Sequence, residues 1–301
     1  MAEKSVRHHY VPRFYLRQFA LENDLNKVSV LERHRRDVVV SRKSIGGIGF
    51  EENLHDYDDG GASGSIEPEL NALIETPFSR SATWCKIREG RCAELDETDR
   101  FPLYVFARHL QLRNLETLRF IEKQTESFAA GELDDELTDE ERAMHRRMAA
   151  EPSAAHALFR AGALDTLLPP DAEAINVMVC RSDIPVRSST NPAIRVSYPG
   201  LGSIYGSMFD QLRTWWLSLD RHWGVFLVLG GPSGFSSRPV EPDVVRVLNR
   251  LYLTQLLEGG ARYLIADDAS VAQDLAWAGF ERIGTMNRYR DSRTLRASGG
   301  I

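Results

Sequence analysis

Apolar residues recur at helical spacing through the middle of the chain and form strand-length runs elsewhere. The strongest helical pattern covers residues 96–128, where Leu103, Phe106 and Leu110 share one face. Further helices are predicted over residues 66–87 (with a break at Pro77), 138–168 (in two parts), 242–257 and 270–278. Strand-length runs occur at residues 27–31, 37–40, 174–180, 203–209, 214–219, 223–229 and 263–266. The first two runs flank a charged segment, which predicts a β-hairpin.

The order of these elements predicts an α+β protein. In it, an N-terminal hairpin and a helical middle pack with a C-terminal mixed β-sheet. The pair Pro169-Pro170 is the best candidate for a domain boundary, because composition changes after it. This predicts an N-terminal region over residues 1–170 and a mixed α/β region over 171–301. One integrated domain is the alternative, and the sequence leaves both arrangements open.

Residues 8–19 read HHYVPRFYLRQF and hold the densest cluster of aromatic, imidazole and guanidinium groups in the chain. Pro12 favours an extended conformation before it and a helix start at its own position. In an extended run, His8 and His9 point to opposite faces. A helix from Pro12 would carry an apolar stripe of Tyr15, Leu16 and Phe19. Arg13 and Arg17 would stand one turn apart on another face.

This N-terminal segment has two interpretations. A histidine, a helix N-terminus and an arginine ridge at one place would favour a bound anion. Alternatively, the segment is a short anchoring helix whose aromatic residues fill the core and whose histidines bond to the backbone. The sequence gives the two interpretations about equal weight.

Composition and charge make some classes of protein less compatible with this sequence. The chain has 301 residues, a formal net charge of -6 and three cysteines, with no CxxC pair. Bulk charge therefore argues against non-specific binding to nucleic acid or membranes, although a local basic site for nucleic acid stays open. Residues 1–7 lack the apolar run of a signal peptide, and the longest apolar run, 225–229, is too short to span a bilayer. These features predict a cytoplasmic protein.

Two other places carry candidate chemistry. Ser182 and Asp183 follow a predicted strand, where a carboxylate can orient a histidine, bind a metal or cap a turn. His109 and Arg113 stand one turn apart on the long predicted helix. Neither an HExxH nor a GxSxG motif occurs, so the sequence does not support a zincin or an α/β-hydrolase.

The run HHYVPRFYLRQF resembles the signature of a bacterial and phage family known as domain of unknown function 4238. The resemblance extends in the same order along most of the chain. It covers a helix that carries a glutamate, here Glu67, and a helix that ends in an arginine, here Arg113. It also covers a Ser-Asp-x-Pro-Val element at residues 182–186 and a late asparagine, Asn249. Ile184 stands where the family usually has Asn. The resemblance implies that His9, Arg113 and Asp183 meet in one place, and it implies no activity.

The first functional hypothesis is a hydrolase or nuclease acting on a phosphate-containing substrate. His9 would serve as general base or metal ligand, Arg113 would hold phosphate charge, and Asp183 would orient the histidine or bind a divalent ion. The hypothesis is compatible with a divalent metal but identifies no ligand set. Residues expected to bind around these three are His8, Tyr10, Arg13, Arg17, Glu67, Ser182 and Asn249.

The second hypothesis is a non-catalytic protein that binds a ligand or partner, as a component of a phage-related or defence module. The HHYVP motif would then be a structural anchor, and His9 and Asp183 would form a buried pair. The sequence leaves open whether the protein is an enzyme, and it identifies no partner.

Overall fold

The order of elements is short strands first, helices in the middle, and then strands with one long helix. The computed structural model describes residues 7–34, 37–58, 63–131, 138–149, 154–164, 174–196, 213–229, 232–266, 271, 274–275 and 283–285. Its α-helices and its strands have the following bounds. The helices are α1 (Arg13–Leu16), α2 (Glu67–Leu70), α3 (Thr76–Ser79), α4 (Ala82–Arg88), α5 (Arg100–Leu112), α6 (Leu115–Ala130), α7 (Asp139–Ala149), α8 (Ala154–Leu164) and α9 (Pro242–Glu258). The strands are β1 (Arg7–His9), β2 (Lys27–His34), β3 (Asp37–Ser44), β4 (Phe50–Glu52), β5 (Asp56–Asp58), β6 (Ser63–Ser65), β7 (Ile175–Arg181), β8 (Ser188–Ser189), β9 (Ala193–Arg195), β10 (Arg213–Ser218), β11 (Trp223–Leu229), β12 (Gly234–Pro239), β13 (Leu264–Ile265) and β14 (Ile283–Thr285).

A five-stranded sheet with the order β12-β7-β11-β10-β9 forms the C-terminal part, and we call it the C-terminal sheet. Strand β12 runs parallel to β7, whereas the other pairs are antiparallel. Val225 and Leu227 of β11 pack into one core, and Phe226 packs into a second core with α9. Because both faces of this strand are covered, its sequence is apolar throughout instead of alternating. The predicted α+β class with a mixed C-terminal sheet is confirmed.

A second five-stranded sheet, with the order β14-β3-β2-β13-β8, joins segments far apart in the chain, and we call it the hairpin sheet. Its centre is the predicted hairpin, in which β2 and β3 pair from Lys27–Ser44 to His34–Asp37. Strand β13 then adds to β2, with Leu264 opposite Leu31. The division at residue 170 stays a prediction, since Pro169-Pro170 lies outside the described residues.

Aromatic residues from the N-terminal segment and the helices fill the first core. The rings of Phe78 and Phe106 stack with centroids 4.1 Å apart, and Phe14 packs edge-on against Trp84. The Tyr15 hydroxyl donates to the carbonyl oxygen of Ser218 at 2.7 Å, which ties α1 to β10. Burial of Tyr15, Leu16 and Phe19 confirms the predicted apolar stripe.

The single helix predicted over residues 96–128 is wrong, because two helices occupy this range. Helix α5 ends with Arg113 as its C-cap, and α6 begins at Leu115. Between them, the side-chain oxygen of Asn114 accepts a hydrogen bond from the backbone N–H of Thr117 at 2.8 Å. An asparagine that bonds to the backbone in this way favours a helix start over a helix interior. Apolar spacing continues across the junction, so the periodicity did not reveal it.

The helix predicted over 66–87 is also divided, and its main break lies at Ser81 and not at the predicted Pro77. Pro77 lies within a continuous helical run from Glu67 to Ser79, directly after a π-helical turn (Asn71–Glu75), so the helix does not break at this proline. The Ser81 side chain accepts from the N–H of Trp84 at 3.1 Å and caps α4. The predictions over residues 203–209 and most of 270–278 lie outside the described residues. None of the helices in the described part of the chain is long and apolar enough to cross a membrane.

Candidate functional site

The HHYVP motif lies at the junction between β1 and α1. Strand β1 pairs with β4, and the N–H groups of Tyr10 and Val11 both donate to the carbonyl oxygen of Gly49. Gly49 has φ +65°, and a Cβ there would lie 2.9 Å from the Val11 Cβ, so the motif needs glycine at this place. Pro12 is the N-cap of a helix of only four residues, followed by a 3₁₀ turn. The anion site, one of the two interpretations of this segment, stays a prediction, and a helix of one turn adds little dipole to it.

The His8 imidazole is buried and fully engaged. Its Nδ1 accepts from the backbone N–H of His55 at 3.0 Å, so its proton is on Nε2. Nε2 lies 3.5 Å from Glu67 Oε2 and 3.7 Å from Asp56 Oδ1. The His8 ring also stacks on the His55 ring, with centroids 5.7 Å apart. Because the Nδ1 lone pair accepts from an amide, this atom is not available to accept a substrate proton.

His9 faces a different set of partners, in agreement with the predicted alternation of the two histidines. Its backbone N–H donates to Glu67 Oε1 at 3.3 Å, and its Nε2 accepts from Arg13 Nε at 3.2 Å. The ring also makes a hydrogen bond to the backbone of Gly46. Burial, and then the charge of Arg13, lower the pKa of His9 to about 4. The ring is therefore neutral near pH 7 and its acceptor nitrogen is occupied.

Arg113 lies fully buried beneath the motif, at the C-terminal end of α5. Its guanidinium donates to the backbone carbonyl oxygen of His9, to Glu75 and, at 2.9 Å, to His109 Nε2. A longer contact of 3.5 Å joins it to His55 Nε2. Burial lowers the pKa of Arg113 to about 9, and the charge of Glu67 opposes that shift. The arginine thus stays charged near pH 7, and Glu75 compensates its charge.

Together these residues form what we call the motif cluster: His8, His9, His55, Glu67, Glu75, His109 and Arg113. It brings together the strand β1, the turn before β5, the helices around residues 67–75 and the end of α5. Desolvation by burial lowers the pKa of His55 to about 2 and that of His109 to about 3. Since Arg113 donates to their Nε2 atoms, their protons lie on Nδ1. His9, His55 and His109 are therefore neutral imidazoles near pH 7, and they surround one buried ion pair.

Among the described residues, no group of three or more His, Cys, Asp or Glu side chains is arranged to hold a metal ion. In the motif cluster, the imidazole nitrogens nearest the arginines already accept hydrogen bonds from guanidinium N–H groups. A cation would have to displace those donors and approach a buried positive charge. The structure therefore identifies no ligand set for the divalent metal that the sequence left open.

The structure places the predicted site residues in two separate groups. His8, His9, Glu67 and Arg113 meet in the motif cluster, with Arg13 on its edge. Tyr10 is buried beside them, and Arg17 is exposed on the outer side of the 3₁₀ turn. Ser182, Asp183 and Asn249 belong to the turn after β7 and to α9, and no described contact links them to Arg113.

The second group has its own local interactions. The Ser182 hydroxyl accepts from the N–H of Ile184 at 3.2 Å, which closes the turn. Asn249 accepts from the N–H of Arg187 and donates to the carbonyl of Pro185, both at 2.9 Å, and so holds this segment against α9. Asp183 is exposed. The predicted buried pair of His9 and Asp183 is therefore wrong, because the turn points Asp183 into solvent and Arg13 and Glu67 contact His9.

Sequence reasoning missed His55 and Glu75, which complete the motif cluster. His55 lies among acidic residues that resemble a loop, and Glu75 sits in a helix beside apolar positions. Neither has a spacing that indicates a site. Only the hydrogen bonds from His55 to His8 and from Arg113 to Glu75 reveal their role.

An open cleft lies between α6 and α9, with β9 at its base, and we call it the interhelical cleft. Its volume is about 900 Å³. Asn114 and Asn191 lie at its floor, each 2% exposed, and the Asn114 side-chain amide donates to Asn191 Oδ1 at 2.9 Å. Asn191 in turn donates to the Glu116 carboxylate. Partial desolvation and the nearby charge of Glu258 raise the pKa of Glu116.

Comparison with known proteins places the motif cluster in a family. The family model described as "Protein of unknown function (DUF4238)" matches residues 7–161, just over half of the chain. The chain belongs to the DUF4238 family. The comparison with curated proteins and the comparison with solved structures gave no match. All seven residues of the motif cluster lie within the DUF4238 match, whereas the interhelical cleft combines α6 from inside the match with β9 and α9 from outside it.

Proposed function

We propose that this DUF4238 protein is a non-catalytic binding protein in which the HHYVP motif clamps the N-terminal segment onto the helices. The observation that carries the proposal is the saturation of the two motif histidines. His8 accepts from a backbone amide, and His9 accepts from Arg13. A general base or metal ligand needs a free nitrogen lone pair, and neither residue offers one.

The carboxylate of Glu67 supports the clamp from the opposite side. One oxygen accepts from the His9 backbone N–H, and the other lies 3.5 Å from His8 Nε2. The Arg113 guanidinium meanwhile bonds to the His9 carbonyl. Both backbone groups of His9 thus bond to side chains from the helical part. Such a segment suits an anchor, since the backbone of His9 is held on both sides by side chains of the helical part.

The experiment compares His9→Ala with the wild type in three measurements: thermal unfolding, calorimetric titration with Mn²⁺, and hydrolysis of a chromogenic phosphodiester. The clamp predicts a lower Tm for the variant, with neither Mn²⁺ binding nor hydrolysis by the wild type. Mn²⁺ binding or hydrolysis that is present in the wild type and lost in a folded His9→Ala protein would contradict the proposal.

A matched pair of variants keeps the test informative if His9→Ala fails to fold. Glu67→Gln retains the shape of the side chain but removes its charge, so the clamp predicts a smaller loss of stability. Arg246→Ala removes an exposed arginine of α9 that pairs with Asp243 on the surface. Its Tm should match that of the wild type within about 1 °C. A Glu67→Gln protein as stable as Arg246→Ala would argue against the clamp.

A further inference from the structure

The walls of the interhelical cleft carry three positive side chains without a carboxylate at ion-pair distance in the described part of the chain. Arg119 and Lys123 lie on α6, and Arg195 lies on β9. Arg119 also bonds to the carbonyl oxygen of Gly259 and so joins the ends of the two helices across the cleft. Two carboxylates, of Glu116 and Glu258, line the same opening, so the three cations exceed them by one. Lys123 and Arg195 are the cations left for an anionic group, and phosphate oxygens match them well.

Two glutamines present amide donors to the same opening. Gln111 Oε1 accepts from Arg108 at 2.7 Å, and Gln255 Oε1 accepts from the Ser189 hydroxyl at 3.1 Å. With their oxygens engaged, both side chains leave the NH₂ group for a ligand. The Glu116 carboxylate at the floor supplies an acceptor of the kind that binds sugar hydroxyls. The cleft therefore offers donors and acceptors at fixed positions, which is what selects a polar heterocycle and its sugar.

The third feature is an aromatic ring exposed on the cleft wall. Phe120 lines the cleft with 62% of its surface exposed. Glu116, Phe120 and Lys123 follow one another at the spacing that puts residues on one helix face. An aromatic ring beside cations is the arrangement on which a nucleobase stacks while its phosphates are neutralised.

From this arrangement we propose that the interhelical cleft binds a nucleoside phosphate, with the base against Phe120 and the phosphates at Lys123 and Arg195. The inference rests on the proposed binding function and names its ligand class. The volume of about 900 Å³ is that of sites for molecules of this size, and it exceeds what a lone phosphate needs. The amides of Asn114 and Asn191 at the floor are buried and bonded to each other, so their positions do not depend on a ligand.

The test titrates the full chain with ADP, GDP and UDP in a calorimeter, with adenosine and inorganic pyrophosphate as separate probes. At least one nucleoside diphosphate should bind, and both adenosine and pyrophosphate should bind at least about ten-fold more weakly, since each makes only part of the contacts. Pyrophosphate binding as tight as that of every nucleotide would overturn the nucleoside part of the inference.

Three variants locate the ligand. Lys123→Ala and Arg195→Ala should each weaken nucleoside diphosphate binding about ten-fold and leave adenosine binding unchanged. Phe120→Ala should weaken both nucleotide and adenosine binding by about five-fold or more. All three side chains are exposed, so the variants should fold, and Arg246→Ala outside the cleft serves as the control. Binding that is unchanged in all three variants would place the nucleotide elsewhere and overturn the inference.

The two proposals fail in different ways. If the wild type binds none of the nucleotides but His9→Ala still loses stability without any metal binding or hydrolysis, only the ligand class is wrong. If the wild type hydrolyses the phosphodiester and His9→Ala abolishes that activity, the non-catalytic function is wrong, whatever the cleft binds.

Discussion

The motif cluster and the interhelical cleft both hold arginines, carboxylates and amide or imidazole groups, yet they use them in opposite ways. In the motif cluster, the guanidinium of Arg113 and the acceptor nitrogens of the histidines are turned toward one another and away from water. In the cleft, the amides of the floor bond together while the cations of the rim face the opening. The difference shows that residue type alone does not mark a site: a site also needs polar groups that a ligand can reach, whereas the unbonded Nδ1 atoms of His55 and His109 are buried.

The largest expected effect comes from breaking the buried ion pair of the motif cluster. Arg113→Leu leaves Glu75 without its partner and also removes the bond to the His9 carbonyl. We expect the free energy of unfolding to fall by about 3–5 kcal/mol in urea denaturation. A loss below about 1 kcal/mol would mean that the cluster is not the anchor we describe.

Low pH should lower the stability of the fold through the buried histidines of the motif cluster. The pKa of His55 is about 2 and that of His109 about 3 in the folded chain, against 6.5 for an unperturbed histidine. At a pH between the folded and unfolded pKa values, the unfolded chain binds more protons than the folded chain. The free energy of unfolding therefore falls as the pH drops below about 6.5. We expect a loss of about 2 kcal/mol or more between about pH 7 and pH 5, measured by urea denaturation at each pH.

A control separates these buried histidines from exposed ones. His156→Gln removes an imidazole that is 45% exposed, and its pH profile should follow that of the wild type. In His109→Gln the dependence of stability on pH should be shallower. Equal slopes in the two variants would show that His109 does not carry the effect.

A smaller loss of stability is expected when one side chain of the clamp is truncated. His8→Ala leaves the backbone N–H of His55 without its acceptor and removes one contact of Glu67. Because an unsatisfied buried donor costs about 1–3 kcal/mol, we expect thermal or urea unfolding to report a loss in that range. Stability equal to that of the wild type would show that water replaces the imidazole.

The smallest effect on stability should come from the cleft. Lys123→Ala and Arg195→Ala remove exposed charges without an ion-pair partner in the described residues, so each should change the free energy of unfolding by less than about 0.5 kcal/mol. Urea denaturation without added nucleotide measures this. A loss as large as that of His8→Ala would indicate that the cleft cations serve the fold and not a ligand.

The sequence predicted the fold class and five of the seven residues of the motif cluster, for reasons that are visible in particular residues. The apolar runs at β2, β3, β7 and β11 are local patterns, so they were readable without the fold. Glu67 came from the family resemblance, Arg113 came also from its helical spacing with His109, and the structure does bring both to the histidines. Asp183 was grouped with them on the same ground, although its turn lies beside α9 and not beside α5.

The remaining features depend on contacts between distant segments. Asn114 meets Asn191 across 77 residues, and Arg119 reaches Gly259 across 140. No local pattern encodes such an encounter, so the interhelical cleft was invisible in the sequence. Glu75 and His55 likewise gain their meaning only from their distance to Arg113. The junction at Asn114 was missed because apolar spacing survives a change of helix.

The pairing of β2 with β13 has a consequence for how the chain is made. The hairpin of β2 and β3 is complete after 44 residues have been synthesised, but its next neighbour arrives only with Leu264 and Ile265. The edge of β2 therefore stays unpaired while the ribosome synthesises most of the chain. Such an edge is a template for wrong pairing between nascent chains. We expect a fragment that stops at residue 161, the end of the DUF4238 match, to aggregate when expressed alone.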